Sequence, residues 1–195
     1  MTARLAIETL RVVVRGRDGA ERPILRDVGL TIQPGEVVAA VGPSGSGKST
    51  LGLAALGYAR PGCRIAAGAV RLDGQDILAL PRSELRQLRG RAITYVPQSP
   101  AAAFNPAHPI NPQVTEAVSN KLDRQAATAN AQALYARFGL PEPDRIGRRY
   151  PHQLSGGQLQ RLAAAMAFTG KPRLVVFDEP TTSVDVTTQV GVLQT

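Results

Sequence analysis

The chain of 195 residues is poor in several things, and each shortage excludes a class. It has one cysteine, Cys63, so no internal disulfide and no multi-cysteine zinc site is open to it, and a reduced compartment fits. Cys63 itself reads as a small packing residue. No apolar stretch approaches the roughly 20 residues of a membrane span; Val37–Val41 and Leu174–Phe177 suit interior strands instead. The opening residues carry Glu8 and no long apolar segment, which predicts no secretory signal. There is no internal repeat, no low-complexity tail and no run of five basic residues. The formal charge is nevertheless +8, nearly all of it arginine. Scattered as it is, at Arg4, Arg15, Arg60, Arg91 and elsewhere, it predicts solvated faces rather than one basic patch.

What the chain does have begins at residue 42. Gly42-Pro43-Ser44-Gly45-Ser46-Gly47-Lys48-Ser49, followed by Thr50, comes directly after the apolar run Val37–Val41. This reads as a phosphate-binding loop between a buried strand and a helix. Glycine lets the backbone turn tightly and point N–H groups at an anion, and the following helix adds its positive end. Lys48 supplies a charge for β- and γ-phosphates, and the Ser49 hydroxyl is a Mg²⁺ ligand.

Leu174–Phe177 ends in Asp178-Glu179. Alone, two acids after a strand make a solvated turn. Combined with a phosphate loop they read as chemistry: Asp178 holds Mg²⁺ and Glu179 is the general base toward water. Leu154-Ser155-Gly156-Gly157-Gln158 is a third feature. Ser155 is an N-cap, yet two glycines weaken the helix it starts. Either this is a capped helix with a flexible start, or its backbone N–H groups approach a second anion.

The remaining pattern alternates strand and helix, arguing for a largely parallel sheet. Strands are expected over 3–14, 24–32, 37–41, 69–72, 92–96 and 173–177, with turns at Gly16–Gly19 and Asp73-Gly74 and an irregular stretch at 62–68. Helices are expected over 48–56, 81–89, 112–122, 124–138 and 155–168, with another starting near Asp185. His152, in a connector, reads as a packing residue, and His108 has no assigned role.

Gly42–Ser49, Gln98, Leu154–Gln158, Leu174–Glu179 and Ser183-Val184-Asp185 occur in an order that resembles the nucleotide-binding domain of ABC ATPases, over nearly the whole chain. Pro97–Pro106 and Tyr150–Gln153 are similar to the subunits of peptide, opine and nickel importers. The resemblance implies an α/β fold: a P-loop NTPase (RecA-like) core over 1–98 and 155–195, with an N-terminal antiparallel β subdomain and an inserted helical subdomain over 99–154. It implies an ATPase with ATP and Mg²⁺ as cofactors, working at the cytoplasmic face of the cell membrane as a peripheral subunit.

The implied partners are membrane permease subunits, a second ATP-binding subunit that is identical or related and, indirectly, an extracytoplasmic solute-binding protein; no nucleic acid is expected. In a head-to-tail dimer, Lys48 of one subunit and Ser155–Gln158 of the other would sandwich ATP. Gln98 would sense Mg²⁺ and the membrane partner, and Ser183 and Asp185 would lie at the dimer interface. Two departures stand out. Val14 occupies the position where the family stacks an aromatic ring on adenine. No histidine follows Glu179, where the family carries a further helix, strand and histidine. The sequence therefore predicts a domain missing its C-terminal part, impaired in hydrolysis as it stands. The alternatives weighed are such a fragment and a soluble ABC ATPase acting on nucleic acid; the short spacing from Gln98 to Leu154 and the lone cysteine argue against the latter.

Overall fold

The structure, a computed structural model, describes residues 3–119 and 121–179. The chain divides into two compact units, Met1–Arg89 and Gly90–Thr195.

In the first unit, β1 (Leu5–Arg15) is one of two inner strands of an antiparallel sheet ordered β2-β1-β3-β4, with β2 at Glu21–Ile32, β3 at Cys63–Leu72 and β4 at Gln75–Asp76. Leu5 and Ile7 face the core at odd positions, while Leu10 and Val12 do so at even ones. The change of phase is a bulge. Thr9 has φ 45° and Asp27 φ 49°, and the register shifts between Ile7 and Leu10. One extra residue flips the side-chain alternation, which returns Leu10 and Val12 to the interior. Opposite the bulge, Gly68 has φ 98°, and a Cβ there would stand 2.6 Å from Leu10 Cα. Only glycine fits. Beyond the bulge β1 keeps pairing with β3, Arg11 beside Ala67 and Val14 beside Cys63, so the stretch 62–68 expected to be irregular is strand from Cys63 onward. Pro23 is tolerated because β2 is an edge strand. The turns at Gly16–Gly19 and Asp73-Gly74 form as expected, the first closed by Gly16 N–H to Ala20 O at 2.8 Å, the second joining Leu72 to its pair Gln75.

Helix α1 (Lys48–Ala54) ends in a left-handed glycine, Gly57 at φ 68°. Tyr58 N–H donates to Leu53 O and Gly57 N–H to Ala54 O, the paired bonds that close a helix C-terminus. Arg89, just past α2 (Arg82–Leu88), adds its guanidinium to Leu56 O and Gly57 O at 2.9 and 2.6 Å. Burial lowers the pKa of this arginine, whose guanidinium lies 5.6 Å from the centre of the Tyr58 ring.

One expected strand is corrected. Residues 37–41 form no strand, and Val37 and Val41 are 70% and 92% exposed. An apolar run specifies burial, but a strand also needs neighbours to complete its ladder. The four strands of this unit pair with one another and none pairs with 37–41.

In the second unit, β5 (Ile93–Val96) and β6 (Leu174–Phe177) pair in parallel, Ile93 beside Leu174 and Val96 beside Phe177. They are the parallel strands among the described residues, so the sheet is less parallel than the alternating pattern suggests. Three helices, α3 (Ile110–Thr115), α4 (Arg124–Arg137) and α5 (Gly156–Phe168), enclose one core with Val96, Phe104, Ile110, Val114, Tyr135, Phe138, Ile146 and Leu162 buried in it. The helix expected over 112–122 is instead α3 followed by a single 3₁₀ turn at Glu116–Val118. Asp123 caps α4 by accepting from Ala126 N–H. Burial pushes the Tyr135 phenol up, so it stays a protonated donor to Asn111 Oδ1 at 2.9 Å.

Candidate functional site

The loop from Gly42 to Thr50 takes the shape its glycines allow. Gly45 has φ 80° and Gly47 φ 95°, conformations strained for any other residue. A Cβ on Gly47 would also stand 2.9 Å from Leu25 Cδ2, so β2 closes the space from behind. Nothing lies within 4 Å of a Cβ position on Gly45, leaving that part of the loop open. Ser46 N–H donates to Pro43 O at 3.3 Å, and Gly47 O accepts the first helical bond from Leu51. The Lys48 ammonium curls over the loop, donating to Gly42 O and Pro43 O at 2.9 Å each. A cation held by two carbonyls of its own loop is able to exchange them for phosphate oxygens at small conformational cost. Ser44 is exposed, and Ser49 and Thr50 are half-buried in the first turn of α1. Val14 is half-buried on β1 between Arg22 and Cys63 of its neighbours, and Arg15 beside it is exposed.

The second unit brings its acids together at the ends of β5 and β6. Asp178, 9% exposed, continues the parallel ladder by donating its N–H to Val96 O at 3.0 Å. Its Oδ2 accepts from the Tyr95 hydroxyl at 2.6 Å. Gln98 Nε2 donates to Glu179 Oε2 at 2.5 Å. Glu179 has φ 48°, the left-handed region, a strained conformation of the kind found at active sites. Gln98, Asp178 and Glu179 thus lie at one strand edge, as expected for ligand sites in open α/β sheets. Tyr95 is the participant that sequence reasoning missed. Its sign is a phenol in the otherwise apolar end of β5, three residues before Gln98.

At Leu154–Gln158 the helix start is doubly capped. Gln158 N–H donates to Ser155 Oγ at 3.2 Å, and Ser155 N–H donates to Gln158 Oε1 at 2.9 Å. Gly156 is exposed, with nothing described within 4 Å of its Cβ position, and Gly157 is half-buried. Arg161 braces the turn from below, donating to Gly157 O and Gly139 O. His152 stacks on Tyr150, with ring centroids 5.6 Å apart. Ser183 and Asp185 lie outside the described residues. Among the described residues no three His, Cys, Asp or Glu side chains gather into a metal cluster, and no helix is long and apolar enough to cross a membrane.

Residues 25–182 match the ABC transporter family. The chain belongs to that family. Three similar proteins are named for peptide or peptidoglycan transport. The oligopeptide transport ATP-binding protein OppD of Mycobacterium tuberculosis is 38% identical over 99% of this chain and 32% of its own length. The peptidoglycan transport ATP-binding protein YejF of Agrobacterium fabrum is 39% identical over 97% of this chain and 35% of its own. A putative peptide import ATP-binding protein of Brucella abortus is 40% identical over 97% and 58%. The chain therefore spans about a third to just over half of these relatives.

Among solved structures, the dimeric ATP-binding cassette MJ0796, bound to ADP and Pi after hydrolysis, has a TM-score of 0.85 at 27% identity, covering 97% of this chain and 80% of that one. The cassette cbiO1 of Clostridium perfringens, part of the complex cbiONQ, gives 0.74 at 26% identity over 100% and 71%. The fold is that of an ABC ATPase cassette, a P-loop NTPase of mixed α/β type.

Proposed function

We propose that this chain binds and hydrolyses ATP as the ATP-binding subunit of an importer, with peptides as the cargo class. The observation that carries the reading is the meeting of Gln98, Asp178 and Glu179 at one strand edge, in a chain whose glycine loop is backed by β2 and topped by Lys48. The names of the relatives favour peptide over nickel import and over work on nucleic acid.

The residues present suit the groups this reading requires. Gly45 leaves open space on the loop that a Cβ would fill, which fits phosphate oxygens. Ser49 and Asp178 offer oxygen donors alone, which fits a hard cation such as Mg²⁺ rather than zinc. When bound, Mg²⁺ supplies charge neutralisation for the transferred phosphoryl group. Gly42–Thr50 would grip the phosphates, Ser49, Gln98 and Asp178 would hold the metal, and Glu179 would take the proton of the attacking water. Glu179 Oε2 accepts from Gln98 Nε2, which leaves the other carboxylate oxygen to act toward water. Val14 packs on the base through its aliphatic surface.

Leu154–Gln158 contact the nucleotide of a second cassette, identical or related, with Ser183 and Asp185 at that interface. Residues 1–98 and 155–195 make the ATPase core, and 99–154 pass its movement to permease subunits at the cytoplasmic face of the membrane; a solute-binding protein acts indirectly, beyond the permease. The test is phosphate release by this chain and by its Glu179→Gln variant. Turnover in the first and ATP binding without turnover in the second support the reading; equal turnover in both removes Glu179 from the mechanism.

A further inference from the structure

Asp178 has a partner that the ATPase reading leaves unused. The Tyr95 hydroxyl donates to Asp178 Oδ2 at 2.6 Å. The placement follows from the sheet. In the parallel register Tyr95 stands beside Val176 and Val96 beside Phe177, so a long side chain at 95 reaches the first residue past the strand. Asp178 is thus held twice by β5, through its backbone N–H at Val96 O and through its carboxylate at Tyr95. The same strand continues to Gln98, which holds the neighbouring acid Glu179.

We infer that Tyr95 is a positioning residue that fixes the rotation of the Asp178 carboxylate for the Mg²⁺ of bound nucleotide. This rests on the reading of Asp178 as a metal ligand. A carboxylate turns about its last torsion in a broad, nearly two-fold well, and binding a cation freezes that freedom. A hydrogen bond already in place removes part of the penalty. The donor also suits the task electrically. A phenol hydroxyl occupies one of roughly four lone-pair sites on the carboxylate and leaves its full negative charge. Lysine or arginine in its place would offset the charge the cation requires. Partners that orient a metal ligand in this way are typically worth about 10- to 100-fold in metal affinity.

The probe is a fluorescent ATP analogue titrated into the full chain, once with excess EDTA and once with saturating Mg²⁺. The ratio of the two affinities isolates what the metal contributes. Tyr95→Phe is expected to bind the analogue in EDTA as the unaltered chain does and to lose about tenfold of the Mg²⁺-dependent gain. Asp178→Asn is expected to lose nearly all of it. In the nucleotide complex with Mn²⁺ in place of Mg²⁺, Tyr95→Phe is expected to broaden the electron paramagnetic resonance lines of the bound ion. If Tyr95→Phe keeps the whole gain while Asp178→Asn loses it, Tyr95 has no positioning role and the metal reading of Asp178 stands. If Asp178→Asn keeps the gain, both fall. An equal loss in EDTA and in Mg²⁺ for Tyr95→Phe makes the hydroxyl structural and overturns the proposal.

Discussion

Gly47 and Gly156 each stand at the start of a helix within a glycine-rich turn, and the fold asks different things of them. At Gly47 the backbone has φ 95°, and a Cβ would meet Leu25 of β2 at 2.9 Å. Glycine there is dictated by its own unit. At Gly156 no described atom lies within 4 Å of the Cβ position, and the residue belongs to the first turn of α5. Alanine would fit and would favour the helix. Its own fold does not require this glycine, and the exposed helix start, already doubly capped by Ser155 and Gln158, leaves open space beside it. The role proposed for it is contact with the nucleotide of a second cassette.

Four substitutions break or sharpen this contrast. The largest effect is expected from Glu179→Gln, which leaves both glycine turns intact: turnover falls about a hundred- to ten-thousand-fold while ATP binding persists, read by phosphate release and nucleotide titration. Lys48→Ala acts at one turn alone. Loss of a charge-assisted contact is expected to weaken ATP roughly 100-fold, with the urea midpoint little changed because Lys48 contacts its own loop carbonyls at the surface. Gly47→Ala forces a strained backbone and a contact with Leu25, and is expected to lower stability by about 1–3 kcal/mol in urea unfolding. Gly156→Ala has the smallest effect on the fold and the opposite sign, a gain of about 0.5–1 kcal/mol, accompanied by a fall in turnover. Full turnover in Gly156→Ala would end the contrast.

Legibility from sequence followed the range of the interactions. The glycine turn before α1, the N-cap at Ser155 and the acids after β6 are local patterns, and each was legible as local structure; the reciprocal bond from Ser155 N–H to Gln158 Oε1 was not read. The hairpin of β1 and β2 was legible from alternation and the Gly16–Gly19 turn. The bulge at Thr9 was not, because it is a pairing event: Gly68 of β3 is shaped by the backbone of β1, some sixty positions away. Tyr95 was missed for the same reason. Its importance depends on β5 lying beside β6, and nothing in Ile93–Val96 names that neighbour. Val37–Val41 shows the converse. Its composition fits a buried strand, and Val41 is 92% exposed, because apolar character does not supply a pairing partner.

Hydrogen exchange with and without MgATP, across a range of chain concentrations, tests the central claim that the two glycine turns serve nucleotides held by different copies. The account predicts slowed exchange at the amides of 42–50 at every concentration where ATP is bound, and at 155–158 only as a second cassette associates. Protection of both segments together in a strictly monomeric sample, or of neither, would contradict it.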